Sequence, residues 1–201
     1  MRSWTSIRLL VAMIIFVTAT IDLRDESRLM AWIGLPLAAL YAIPLQGKRL
    51  KDRSITKIPF ISLAVTIACV GIPWLQSDGG QPLQITLLFM AMLLLVASSV
   101  MVCDLRDRVR DQLAGLKTLA TERPSGTLKL IRGLFMVICL LASSIVVMDP
   151  TAISMGQGVG LLLATITLNI AASKKQQPIL MTLLADGSLA LPALCGALVP
   201  G

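Results

Sequence analysis

The chain has 201 residues, of which 56% are hydrophobic and only 14% are charged. A soluble domain has about 25% charged residues, so this composition excludes an ordinary soluble protein and predicts a membrane protein. The net charge of +7 does not indicate nucleic-acid binding, because the basic residues lie in short segments beside long apolar runs and no DNA- or RNA-binding motif accompanies them.

Seven apolar runs follow one another along the chain, and most have the roughly 20 residues that a helix needs to cross a bilayer core of about 30 Å. They are residues 4–21, 29–45, 58–75, 83–103, 128–148, 153–172 and 179–199. A backbone in lipid must satisfy its own hydrogen bonds, so these runs are predicted to be helices. No repeat or linker divides the chain. The prediction is an all-α, polytopic membrane helix bundle with seven transmembrane helices in one domain, residues 1–201.

The first run has a second interpretation, as a secretory signal peptide, because Arg2 precedes it and small residues end it. A charged cluster between Asp22 and Glu26 follows where a bland cleavage region would be expected, which favours a transmembrane helix.

The basic residues predict the orientation. One side collects Arg2, Arg8 and the basic residues of segments 48–57, 106–132 and 174–175, whereas the other has only Arg24 and Arg28, mixed with acids. The positive-inside rule then places the N-terminus and the Asp104 loop in the cytoplasm and the C-terminus outside, in the cell inner membrane.

The acidic residues cluster in the loop DLRDRVRDQLAGLKTL, which begins at Asp104. Asp104, Asp107 and Asp111 are spaced i, i+3 and i+7, so on a helix they share one face that can bind Mg²⁺. The alternative is a solvated helix with internal ion pairs, such as Asp104 with Arg108 and Asp107 with Arg110.

Three residues near the ends of other runs have two interpretations each. Asp186 lies within the last run, where a carboxylate indicates a function or a buried partner unless it reaches the interface. Arg8 either binds substrate or extends to the lipid headgroups. Tyr41 either faces a reaction site or anchors its helix at the membrane surface.

Two motifs resemble the UbiA superfamily of intramembrane prenyltransferases. Asp107, Asp111, Gly115, Lys117 and Thr118 match the family's second aspartate-rich motif position by position. The segment LYAIPLQGKRLKDRSITK resembles the family's cytoplasmic loop after its fourth helix, with Tyr41 ending the helix and Lys48, Arg49 and Lys57 following.

This resemblance implies a UbiA-like prenyltransferase, which transfers a prenyl group from an isoprenoid diphosphate to a hydrophobic aromatic or lipid acceptor within membrane lipids. The family uses Mg²⁺, which implies Asp104, Asp107 and Asp111 as metal ligands, with Asp107 and Asp111 catalytic. The diphosphate would be bound by Lys48, Arg49, Lys57 and Lys117, and Tyr41 would line the pocket.

The match is partial, because the seven runs resemble the family's helices three to nine. The first two helices and the first Asn- and Asp-containing motif have no counterpart in this sequence. The second hypothesis is therefore a non-catalytic UbiA-like subunit, structural or lipid- or pigment-binding, that associates with other membrane protein subunits.

Overall fold

The protein is built from helices that begin and end near the predicted boundaries. The computed structural model describes residues 13–42, 44–45, 48–49, 54–77, 81–173 and 178–198. The first helix, α1, is described over residues 13–21. The others are α2 (Asp25–Ala42), α3 (Ser54–Thr66), α4 (Ile72–Gln76), α5 (Pro82–Leu113), α6 (Leu119–Glu122), α7 (Pro124–Met148), α8 (Ala152–Ser173) and α9 (Pro178–Leu198).

Two short features interrupt the helices. Strand β1 (Pro44–Leu45) pairs antiparallel with β2 (Lys48–Arg49) between α2 and α3. A π-helical turn, Ile67–Gly71, joins α3 to α4 just before Pro73, which lacks the N–H that a regular helix requires.

Four described segments are long and apolar enough to cross a membrane: Thr56–Gln76, Pro82–Leu113, Pro124–Met148 and Ile153–Ser173. Large apolar side chains such as Met136, Leu140 and Ile166 are exposed on their surfaces, as expected for contact with lipid. The all-α membrane bundle is confirmed, whereas the count of seven spans stays a prediction.

Helix α5 forms the centre of the bundle, because it packs against α3, α7, α8 and α9. Ala91, Leu95, Ser98 and Val102 are fully buried, at a spacing that aligns them on one helix face. At 32 residues α5 is about 48 Å long, against about 30 Å of hydrocarbon core. Because the apolar run ends at Cys103, the excess length carries the aspartates out of the membrane core.

Helices α8 and α9 pack tightly against each other at a glycine. A Cβ atom added to Gly160 would lie 2.5 Å from the Cα atom of Pro192. Only the missing side chain allows the two backbones to approach this closely.

At the end opposite the aspartates, Asp149 links three segments. Its Oδ2 accepts hydrogen bonds from Gln84 on α5 at 3.0 Å, from Ser154 on α8 at 2.8 Å and from Thr151 at 3.2 Å. The Ser154 bond is the largest of the effects that lower the pKa of Asp149, and those from Thr151 and Gln84 act in the same direction. The ionised carboxylate therefore joins α5 to the α7–α8 connection.

We predict that Asp149→Asn removes a pH-dependent part of the stability. The pKa of Asp149 in the folded protein lies below the unfolded value of about 3.9. The carboxylate therefore stabilises the fold above that pH, and this contribution is lost as pH falls through the folded-state pKa. The difference in melting temperature between wild type and Asp149→Asn should shrink as pH falls from about 5 towards about 2. Asp25→Asn is the control for removing an exposed carboxylate, and its melting temperature at pH 7 should stay close to that of wild type because exposed ion pairs contribute little. Parallel curves for wild type and Asp149→Asn would contradict the prediction.

Candidate functional site

An ion pair between α3 and α5 lies at the aspartate end of the bundle. Lys57, in the first turn of α3, donates through Nζ to Oδ1 of Asp104 at 2.5 Å. The Asp104 side chain is only 3% exposed, and its second oxygen, Oδ2, is buried without a hydrogen-bond partner. Burying an ionised carboxylate is costly unless an opposite charge compensates it. The ammonium group of Lys57 supplies that opposite charge.

Lys57 is also the electrostatic centre of the aspartate cluster. Its positive charge acts on Asp107 and Asp111 as well as on Asp104, which is its one hydrogen-bonded carboxylate among the described residues. The charge of Lys57 on α3 therefore acts on all three carboxylates of α5.

Tyr41 brings the end of α2 to the same place. Its ring stacks on Phe60 with centroids 5.2 Å apart and planes 8° from parallel. Phe60 is one turn beyond Lys57, and Lys57 also interacts electrostatically with Tyr41. The ring stack therefore fixes α2 against the helix that carries the site's cation.

Asp107 is paired within its own helix. Arg106 donates from Nε to Oδ1 at 2.8 Å and from Nη2 to Oδ2 at 2.6 Å, which is a two-point contact. The expected pairs of Asp104 with Arg108 and of Asp107 with Arg110 are not among the ion pairs of the described residues. Arg108 instead keeps a buried Nε with no hydrogen-bond partner in the described structure.

Gly115 and Thr118 of the matched motif shape the backbone after the aspartates. Gly115 has φ of 68°, and its N–H donates to the carbonyl of Gln112, while Leu116 N–H donates to that of Asp111. These two bonds end α5 in a glycine-terminated turn that other residues adopt only with strain. Thr118 then caps α6 through reciprocal bonds with Thr121.

The predicted site residues divide into three groups. Lys57, Asp104, Asp107, Asp111 and Tyr41 come together. Lys117 is exposed in the turn after α5. The side chains of Lys48, Arg49 and Asp186 lie outside the described part of the structure, as does Arg8.

Sequence reasoning missed two contributors. Phe60 could have been found from its spacing, because i+3 from Lys57 shares a helix face with it. Arg106 could not, because residues at i and i+1 on a helix do not ordinarily face each other.

The fit to Mg²⁺ differs between the three carboxylates. No group of three His, Cys, Asp or Glu side chains in the described residues is close enough to hold a metal ion. Asp104 is engaged by Lys57, and both oxygens of Asp107 are engaged by Arg106, whereas Asp111 is partly exposed and forms no ion pair among the described residues. Mg²⁺ is commonly held by one or two carboxylates together with substrate phosphates. Asp111 therefore fits a metal that arrives with a diphosphate, and Asp107, one turn away, can join it by exchanging Arg106 for the metal.

An apolar cavity of about 430 Å³ lies at the other end of the bundle. It is lined by the π-helical turn, by Trp74 and by Ile85 and Phe89 of α5. Phe89 precedes Asp104 by 15 residues, which corresponds to about 22 Å along the helix. The aspartates therefore do not line this cavity.

The family assignment follows from a model of the UbiA prenyltransferase family, which matches residues 3–181. The chain belongs to this family, and it has a membrane prenyltransferase-like function at the family level. Searches of curated proteins and of solved structures returned no significant match.

We predict that Lys57→Met destabilises the protein by about 3 kcal/mol, because it leaves the Asp104 carboxylate buried without a counter-ion. Adding Asp104→Asn should recover a large part of this loss, since the double variant carries no charge at either position. The free energy of unfolding in mixed micelles measures both effects.

Lys117→Met is the matched control for the Lys57 variant, because Lys117 is exposed on the same end of the bundle. Its free energy of unfolding should stay within about 0.5 kcal/mol of wild type. An equal loss in Lys57→Met and Lys117→Met would contradict a specific role for the Lys57–Asp104 ion pair.

Proposed function

We propose that the protein is a prenyltransferase that binds the diphosphate group of an isoprenoid diphosphate at the aspartate end of α5. The observation that carries the proposal is the Lys57–Asp104 ion pair at the end of a long apolar helix, with Asp107 and Asp111 on the following turns of the same helix. Such a place suits an amphiphilic substrate, because its anionic head meets charged groups while its prenyl chain remains in apolar surroundings.

The reaction determines what the site must supply. Breaking the bond between the allylic carbon and the diphosphate oxygen leaves a diphosphate with close to three negative charges while positive charge develops on the prenyl group. Preorganised cations lower the energy of that state. The acceptor then forms a bond to the allylic carbon and loses a proton.

In this proposal, basic residues bind the diphosphate and acidic residues bind Mg²⁺. Lys57 and Lys117 contact phosphate oxygens directly, and Lys48 and Arg49 contribute from the preceding loop. Asp107 and Asp111 hold Mg²⁺, which when bound supplies further positive charge against the diphosphate.

The remaining two side chains support the site. Asp104 holds Lys57 in position, in place of the metal-ligand role predicted for it. Tyr41 stacks one face of its ring on Phe60, and the other face is the one that contacts the developing prenyl cation in this proposal.

The proposal is tested by calorimetric titration of geranylgeranyl diphosphate into the full chain with and without Mg²⁺. Wild type should bind at least tenfold more tightly with Mg²⁺, a difference of about 1.4 kcal/mol. Asp107→Asn and Asp111→Asn should each lose most of this gain, because each removes a carboxylate ligand.

Glu122→Gln is the matched control, because it removes an exposed carboxylate from α6 near the same end of the bundle. It should keep the wild-type response to Mg²⁺. Metal-independent binding that none of the aspartate variants alters would overturn the proposed magnesium site and favour a non-catalytic, lipid-binding family member.

A further inference from the structure

A second polar site lies on the outer surface of the bundle, between α7 and α8. It is a groove of about 350 Å³, lined by Arg132, Phe135, Met136, Asn169 and Ser173. Its two helices are joined at their far ends by the short segment around Asp149, so the groove lies near the same membrane surface as the aspartate cluster. None of its residues belongs to that cluster.

The polar side chains of the groove lack partners. Among the described residues, neither the guanidinium of Arg132 nor the side-chain amide of Asn169 forms a hydrogen bond or an ion pair. Both are exposed on helices that span the membrane. Unpaired polar groups on a lipid-facing surface are costly and indicate a ligand that satisfies them.

The position of Arg132 along α7 indicates how deep this residue lies in the membrane. Helix α7 has 25 residues, or about 37 Å, so it exceeds a hydrocarbon core of about 30 Å by only a turn or so. Arg132 lies eight residues, or about 12 Å, from the start of α7. Its long side chain can therefore bring the guanidinium to the level where lipid headgroups meet acyl chains.

The groove also has the apolar surface that a lipid chain needs. Met136 lies beside Arg132 and is 69% exposed, and Phe135 also lines the groove although it is only 6% exposed. One turn beyond Met136, Leu140 is 66% exposed and extends the apolar surface along α7. Lys129 is exposed one turn before Arg132 and adds a second positive charge.

We propose that this groove binds one anionic phospholipid. The lipid phosphate accepts hydrogen bonds from Arg132 and from the amide of Asn169, and an acyl chain packs along Met136 and Leu140. Ser173 already donates its hydroxyl to the carbonyl of Asn169 at 2.8 Å, so its oxygen is left to accept from a headgroup hydroxyl. The positive charges of Arg132 and Lys129 select an anionic over a zwitterionic lipid.

The test measures binding of phosphatidylglycerol and of phosphatidylcholine to the detergent-purified full chain by native mass spectrometry. Wild type should bind one phosphatidylglycerol at least tenfold more tightly than phosphatidylcholine. Arg132→Gln should abolish this preference, and Asn169→Leu should weaken phosphatidylglycerol binding several-fold without changing the charge. Gel filtration establishes that each variant is folded.

Arg123→Gln is the matched control, because it removes one exposed positive charge near the same surface but outside the groove. It should keep the wild-type preference. Equal affinity of wild type for the two lipids, or an equal loss in Arg123→Gln and Arg132→Gln, would overturn the proposal. Full competition by glycerol phosphate would also overturn it, since the ligand would then be a soluble phosphate.

Discussion

The ion pair between Lys57 and Asp104 is the interaction on which the candidate site depends. It joins the start of α3 to the last buried position of α5, and it places the only cation of that turn of α3 against the aspartates. The carboxylate of Asp104 is buried, so the protein would be destabilised without the ammonium group. The ion pair also orients Lys57, because it excludes most of the rotamers that an exposed lysine side chain samples. The Lys57–Asp104 ion pair therefore contributes both to the stability of the protein and to the geometry of the site.

The two ends of the bundle use polar groups differently. Around Asp149, the partners among the described residues are neutral hydroxyl and amide groups. Such an arrangement joins the ends of helices. At the aspartate end, Oδ2 of Asp104 and Nε of Arg108 are buried without partners in the described structure, and Asp111 remains partly exposed. Incomplete satisfaction of polar groups is typical of binding sites, where a ligand completes the hydrogen bonds.

The sequence predicted the helices well because lipid leaves a backbone few alternatives, and the run from 83 to 103 appears as the apolar part of α5. It also predicted that Asp104, Asp107 and Asp111 share a helix, since spacing alone decides that. The partner of Asp104 could not be predicted, because Lys57 is 47 residues away and only the packing of α3 on α5 brings them together. Arg108, at i+4, was the nearer candidate by sequence. Likewise, the motif glycine, Gly115, was found by resemblance, whereas its left-handed backbone required the structure.

The most direct test of the account is whether Asp104 acts on a bound diphosphate through Lys57. The measurement is the affinity of folded protein for inorganic diphosphate with Mg²⁺, for Lys57→Met, Asp104→Asn and the double variant. If Asp104 works by positioning Lys57, the two single variants should lose similar affinity and the double variant should bind no more weakly than Lys57→Met. Losses that add in the double variant would show that Asp104 contacts the metal or the ligand independently, and would contradict the account.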